Sequence, residues 1–242
     1  MPRFLILRLE APLVAFGDVM VDAFGPISDL PSASLLTGLI ANALGYQRKE
    51  RTLHQRLQDR LVYAARLDRR AGRFTEFQTV QLEKSDKGWT TRGKPDERAG
   101  GEGTYSAPHI RYRDHDADAS ALVAIYLTPL DETPDIDAIA AALREPFRPL
   151  FIGRKPCLPS APIFDRFVEA DTLLDALKTV PLAPERRGRE TDVLVELPAS
   201  DHRPERFRAI HRCDSRDWVA GVHAGDTVRW SGSLPRTAFT GG

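Results

Sequence analysis

The chain has 242 residues, with 34 Lys and Arg against 34 Asp and Glu, so its formal net charge is zero. That neutrality excludes a whole-molecule field able by itself to hold nucleic acid or an anionic membrane. A 42% hydrophobic, 28% charged composition fits a soluble fold with a real core, and Cys157 and Cys213, without CxxC spacing, exclude a disulfide framework and a cysteine zinc site.

The opening MPRFLILRLEAP is interrupted by Arg8 and is not read as a signal peptide. No stretch approaches the roughly 20 apolar residues of a membrane span, and a reducing cytoplasm is the expected compartment. Within this start, FLILRL (Phe4 to Leu9) predicts a buried strand with Leu5, Leu7 and Leu9 on one face and Phe4, Ile6 and Arg8 on the other. LPSASLLTGLIANALG predicts a helix capped by Ser32 or Ser34 and ended by Gly45. From Arg48 to Arg73 there are nine Lys or Arg against three Asp or Glu, a local excess of six that can form a basic face. LVYAARL (Leu61 to Leu67) and ALVAIYL (Ala121 to Leu127) predict strands.

The stretch between those two strands is too long for a plain connection. Its ends are strand-like and its centre is rich in glycine and charge, which predicts a long hairpin arm with a tip near Lys87 to Gly103. TPDIDAIAAALREP predicts a second helix, capped by Thr133 and stopped by Pro146. PIFDRFVEA (Pro162 to Ala170) predicts a further strand. Strand, helix, strand, strand, helix, strand is the order of an α+β, RRM-like or ferredoxin-like βαββαβ core. Residues 1–170 form that domain, with a hairpin inserted at about 79–109. Residues 171–242 form a small C-terminal β element and a flexible tail.

HIRYRDHDAD (His109 to Asp118) carries the densest chemistry. Strand alternation separates Asp114, Asp116 and Asp118 from His115, which disfavours a shared metal shell. The same alternation sets Arg111 and Arg113 on the face of His109 and His115, a row suited to phosphates or to a solvated edge. The aromatic signature of base-stacking RRM strands is missing from LVYAARL and ALVAIYL, so RNA contact has to come from loops, arm and backbone. No Walker A loop, G-x-S-x-G or HExxH occurs. In GRKPCLPSAPIF, Pro156, Pro159 and Pro162 forbid regular structure and hold Arg154 and Lys155 in a fixed pose, while Cys157 reads as packing.

Four stretches in this order, LRLEAPLVAFG, LPSASLLTGLIANALG, IRYRDHDADASALVAIYLTP and RPLFIGRKPCLPSAPIF, resemble the CasD family. This is the CRISPR-associated subunit that caps the guide-RNA 5′ handle in type I Cascade, with the type I-E branch closest. Ala11 replaces a usual glycine, and Phe16 stands where tryptophan is common. The resemblance implies a non-catalytic RNA-binding subunit without cofactor or metal. Its palm contacts would be Ser34, Arg111, Arg113, Arg148, Arg154 and Lys155, and its thumb contacts Lys87, Trp89, Arg92 and Lys94. The implied partners are guide RNA, the backbone and large subunits of the complex, and target DNA through the complex. An alternative comes from type I-C relatives, which cut precursor RNA without metal. Tyr46, His109 or His115, and Lys155 would then supply base and cations.

Overall fold

The computed structural model describes residues 1–81, 108–184 and 192–239, together with the backbone of 88–89 and 95–96. Its centre is β1 (Arg3–Val14), whose residues Phe4 to Leu7 are all buried. Both faces of that strand are covered. Leu5, Leu7 and Leu9 pack under α1 (Ala33–Ala43), α2 (Arg51–Arg60) and α3 (Ile136–Arg144), whereas Phe4 and Ile6 pack under α4 (Leu173–Thr179) and the C-terminal strands. The alternation expected from FLILRL is therefore the division between the two cores.

Around β1 runs one nine-stranded sheet. β3 (Leu61–Arg69) and β1 flank β7 (His109–Leu127), and β8 (Phe164–Glu169) closes the edge beside β1, all antiparallel. β7 is one strand of 19 residues, so HIRYRDHDAD and ALVAIYL, read separately from sequence, are continuous. Its first half leaves the core and pairs with β4 (Gly72–Val80), from Gly72 against Ala117 to Val80 against His109. The hairpin ladder thus starts seven residues before position 79, because the alternation of β4 continues almost directly from β3. The short β2 (Phe24–Gly25) lies parallel to β7, and β5 (Gly88–Trp89) pairs with β6 (Pro95–Asp96) in a separate two-stranded ladder.

Two expectations are corrected in the last third, and one helix is added to it. β9 (Asp192–Pro198) hydrogen-bonds to β3, and β13 (Thr227–Pro235) and β10 (Arg208–Arg212) follow it, so these strands extend the main sheet rather than forming a separate element. The tail expected to be loose is strand β13 followed by a 3-10 turn, Arg236–Phe239, that buries the Phe239 ring under the Arg66 guanidinium. α4 had no expected counterpart, although Thr172 caps it by accepting from the Asp175 N–H at 3.1 Å. A short ladder of β11 (Arg216–Asp217) and β12 (Val222–His223) completes the described strands.

The helices also differ in detail. Ser32 caps α1, accepting from Leu35 N–H, and Asp135 rather than Thr133 caps α3, accepting from Ala138 N–H. α2 was not expected. Its buried stripe is mostly polar (His54, Gln58 and Arg60 beside Leu57), so apolar periodicity could not mark it.

The basic segment 48–73 is largely not a basic face. Arg60 is fully buried and donates to the carbonyls of Pro129, Glu132 and Pro134. Arg66 is also fully buried, held by Asp68 and by the Leu177 and Pro181 carbonyls at the end of α4. Arg69 pairs with Asp118 and Glu10, Arg70 with Asp29, and Arg73 with Asp116 and Asp29. These guanidiniums satisfy loop carbonyls and buried carboxylates that would otherwise be unpaired. No helix among the described residues is long and apolar enough to cross a membrane.

Candidate nucleic-acid interface

The loop after α3 turns a tight corner. Ile152 N–H donates to Cys157 O at 2.7 Å and Cys157 N–H to Arg154 O at 2.9 Å. Gly153 has φ +91°, and a Cβ there would fall 1.8 Å from the Ala15 carbonyl oxygen. Arg154 reaches from this corner into the sheet, its guanidinium donating to Asp114 O at 2.7 Å and Gly25 O at 2.8 Å. Lys155 points outward and is exposed.

Cys157 is completely buried, and burial pushes its thiol above the usual range. It is a packing residue, while Cys213 is only half-buried. Under native conditions a thiol reagent is expected to label Cys213 and spare Cys157, with both reacting in denaturant. Equal native labelling rates would contradict the buried placement.

The β4–β7 hairpin has two chemically different faces. Cross-strand pairs put His109, Arg111, Arg113 and His115 on one face, opposite Val80, Gln78, Glu76 and Phe74 respectively. The other face holds Tyr112, stacked on Phe24 at 4.9 Å and tilted against Phe77 at 5.5 Å. Phe24 and Phe77 are each 57% exposed. His115 is 2% exposed and stacked on Phe74, and burial together with the Arg154 charge holds its pKa below the ordinary value. The three aspartates of this stretch are engaged: Asp114 accepts from Thr75, Asp116 pairs with Arg73, and Asp118 with Arg69. Among the described residues no group of three or more His, Cys, Asp or Glu side chains is placed to hold a metal. Lys87, Arg92 and Lys94 lie outside the described residues, and of Trp89 only the backbone, paired with Pro95, is described.

A groove runs along the outer side of α1 in two adjoining compartments of about 380 and 1130 Å³. Gly38, Asn42, Phe151, Arg216 and Trp218 line both, which makes them one surface. Its described lining holds six cations, Arg48, Lys49, Arg51, Arg148, Arg154 and Arg216, and no Asp or Glu. In a chain with equal numbers of acids and bases this is a concentrated positive site. Glu50, between two of these cations, turns its carboxylate to the backbone N–H of Gln47 at 2.6 Å.

Of the residues expected from sequence, Ser34, Arg148 and Arg154 meet in this groove. Ser34 contributes a hydroxyl 3.1 Å from that of Ser32, while its N–H donates to Asp214 O. Arg148 donates to the carbonyls of Gly45 and Tyr46 past the end of α1. Arg111, Arg113 and Lys155 do not line the groove; Arg113 lies beside Arg154 near Gly25. Sequence reasoning missed the rest of the lining. Arg48, Lys49 and Arg51 were visible as a basic run, and their place at the start of α2 was the lacking piece. Arg216 and Trp218 come from a loop that folds back through Gln58 and Gln55, which bond Arg216 O and Trp218 N–H.

Tyr46 also lines the groove, edge-on to His54 at 5.6 Å. The histidines expected to act with it, His109 and His115, sit on the hairpin instead.

Residues 4–227 match the family model described as CRISPR-associated protein (Cas_Cas5). The chain belongs to this CRISPR-associated Cas5 family. The family read from the four sequence stretches is therefore the family found. A relative, the CRISPR system Cascade subunit CasD of Escherichia coli (strain K12), is 29% identical over 171 residues, spanning 68% of this chain and 70% of the relative. A solved structure described as a Cas protein is similar over 100% of this chain and 99% of its own, at 25% identity and a TM-score of 0.61. A chain of a CRISPR RNA-guided surveillance complex, at 24% identity, shares the fold over 96% of this chain and 89% of its own, with a TM-score of 0.65.

Proposed function

We propose that this chain is a non-catalytic, RNA-binding subunit of a type I Cascade complex of the I-E branch, holding the 5′ handle of the guide RNA. The observation that carries this reading is the groove with six cations and no carboxylate in its described lining. A single strand laid there meets guanidiniums along its phosphates and aromatic surface beside its bases. Membership of the Cas5 family and the Cascade relative support the complex, and hence a backbone subunit, a large subunit and target DNA as partners. The fold reading is finer in the same way. The order β8–β1–β7–β3, with α1 and α2 after β1 and α3 after β7, supports an RRM-like, ferredoxin-like palm. On that palm the two-faced hairpin is the base of the thumb. Its Arg111 and Arg113 face suits RNA, and its other face, with exposed Phe24 and Phe77 around half-buried Tyr112, suits a protein neighbour.

The test measures binding of a labelled single-stranded RNA to the full chain as salt is raised. Replacing Arg48 and Lys49 by alanine is expected to flatten the log–log salt slope by about 0.7 for each phosphate that is no longer neutralised. An unchanged slope would remove the groove from the RNA path. One observation favours a second reading, metal-independent cleavage: Tyr46 lies beside His54 in the same cationic groove. The same incubation separates the two. Binding leaves the RNA at full length in chelator, whereas site-specific products that disappear in His54→Ala would establish the nuclease.

A further inference from the structure

Trp218 stands at the boundary of the two compartments and is held from three sides. Its backbone N–H donates to Gln55 Oε1 at 2.9 Å and its indole N–H to Gln58 Oε1 at 3.0 Å. The ring stacks on His54 at 4.9 Å, and His54 is fixed by a 2.8 Å hydrogen bond between Nδ1 and the Glu50 carbonyl. At the ring's far edge a Cβ on Gly38 of α1 would sit 3.7 Å from Cη2, and the Arg216 guanidinium lies 5.4 Å from the ring centroid. The carrying loop is pinned as well, by Arg51 to Val219 O and by Arg216 to Gly221 O.

Such a side chain is pre-organised, because its only polar group is satisfied and its rotamer is fixed before any ligand arrives. Little conformational entropy remains to be lost on binding. Its remaining surface lines both compartments, with Arg154, Ser32 and Ser34 in one and Arg48, Lys49 and Arg51 in the other. Cation, flat apolar surface, cation is the complement of one nucleotide between two phosphates.

We propose that Trp218 is the stacking platform for a single unpaired base of the bound strand, with the flanking phosphates divided between the two compartments. This rests on the reading of the groove as an RNA site. Stacking accepts any π-face, so the platform fixes the position of the strand without selecting a base. The loop that carries it then belongs to the recognition surface.

The experiment scans a short fluorescein-labelled single-stranded RNA with one abasic nucleotide at each position, by anisotropy, against the wild-type chain, Trp218→Ala and Trp218→Phe. In the wild type one abasic position is expected to weaken binding roughly 5- to 150-fold, the worth of a stacked base. Trp218→Ala should bind intact RNA as weakly as the wild type binds that abasic RNA, show no further loss there, and keep the wild-type salt slope. Trp218→Phe should restore the sensitivity in part. An equal loss at every position in Trp218→Ala would assign the residue to folding alone and overturn the platform. Should Trp218→Ala fail to fold, 5-bromouridine at the sensitive position of the RNA on the wild-type chain decides: its photo-crosslink must map to Trp218, and a crosslink elsewhere overturns the proposal. RNA binding without any sensitive position removes the platform and leaves the groove, whereas no RNA binding at all removes both.

Discussion

Replacing Asp68 by alanine is expected to destabilise the chain by about 3–5 kcal/mol, the range for removing one partner of a buried ion pair. Asp68 has a fully buried side chain that accepts from Arg66 Nε at 2.6 Å, from Arg8 Nη1 at 3.4 Å and from the Ala183 N–H at 2.9 Å. Its loss leaves the fully buried Arg66 cation without its counter-charge. Burial already pulls the Arg66 pKa below the usual guanidinium value, with Asp68 acting in the opposite direction. Arg66 also ties β3 to the end of α4, so the damage reaches the packing of that helix. The comparison is Asp137→Ala, which removes an ion pair to Arg3 whose side chains are 43% and 60% exposed. That change is expected to cost no more than about 1 kcal/mol. Urea unfolding of both variants checks the contrast, and similar midpoints would refute the role of the Arg66–Asp68 pair.

The same contrast explains what was legible in the sequence. β1, α1, α3 and the second half of β7 follow from the spacing of apolar side chains, because each presents an apolar face to a core. α2 escapes that signal, since its buried residues beside Leu57 include His54, held by the Glu50 carbonyl and the Tyr46 and Trp218 rings, and Gln58, held by a distant loop, so no apolar stripe marks it. The basic run 48–73 misled for a related reason. A sequence counts charges but does not show that Arg60, Arg66 and Arg69 point inward to carbonyls and carboxylates. Of the groove, the part built from local punctuation was readable: Ser34 beside a helix start and Arg154 in a proline-stiffened corner. Trp218 was not readable, because its partners Gln55 and Gln58 are 163 and 160 positions away and carry no motif of their own.

That proline-stiffened corner gives the second large effect. Gly153→Ala is expected to lower stability by roughly 2–5 kcal/mol, combining the cost of positive φ with backbone overlap. Gly45→Ala is the fair comparison, since Gly45 has φ +84° against +91° at Gly153. The two differ in what the new methyl meets. At Gly45 it meets the root of the Phe147 side chain, Cγ at 2.8 Å and Cβ at 3.2 Å, where a 72% exposed ring can turn but Cβ stays with its backbone. At Gly153 it meets the carbonyl oxygen of Ala15 at 1.8 Å, which belongs to the chain just after β1 and has no such freedom. Gly45→Ala is therefore expected to cost less than Gly153→Ala: the conformational part, about 1–2 kcal/mol, plus the turning of one exposed ring. In Gly153→Ala the corner has to shift, and the Arg154 bonds to Gly25 O and Asp114 O shift with it. RNA affinity is then expected to fall together with stability in this variant and to persist in Gly45→Ala. Equal unfolding midpoints for the two variants, or undiminished RNA binding by a folded Gly153→Ala, would show that the corner does not position the groove.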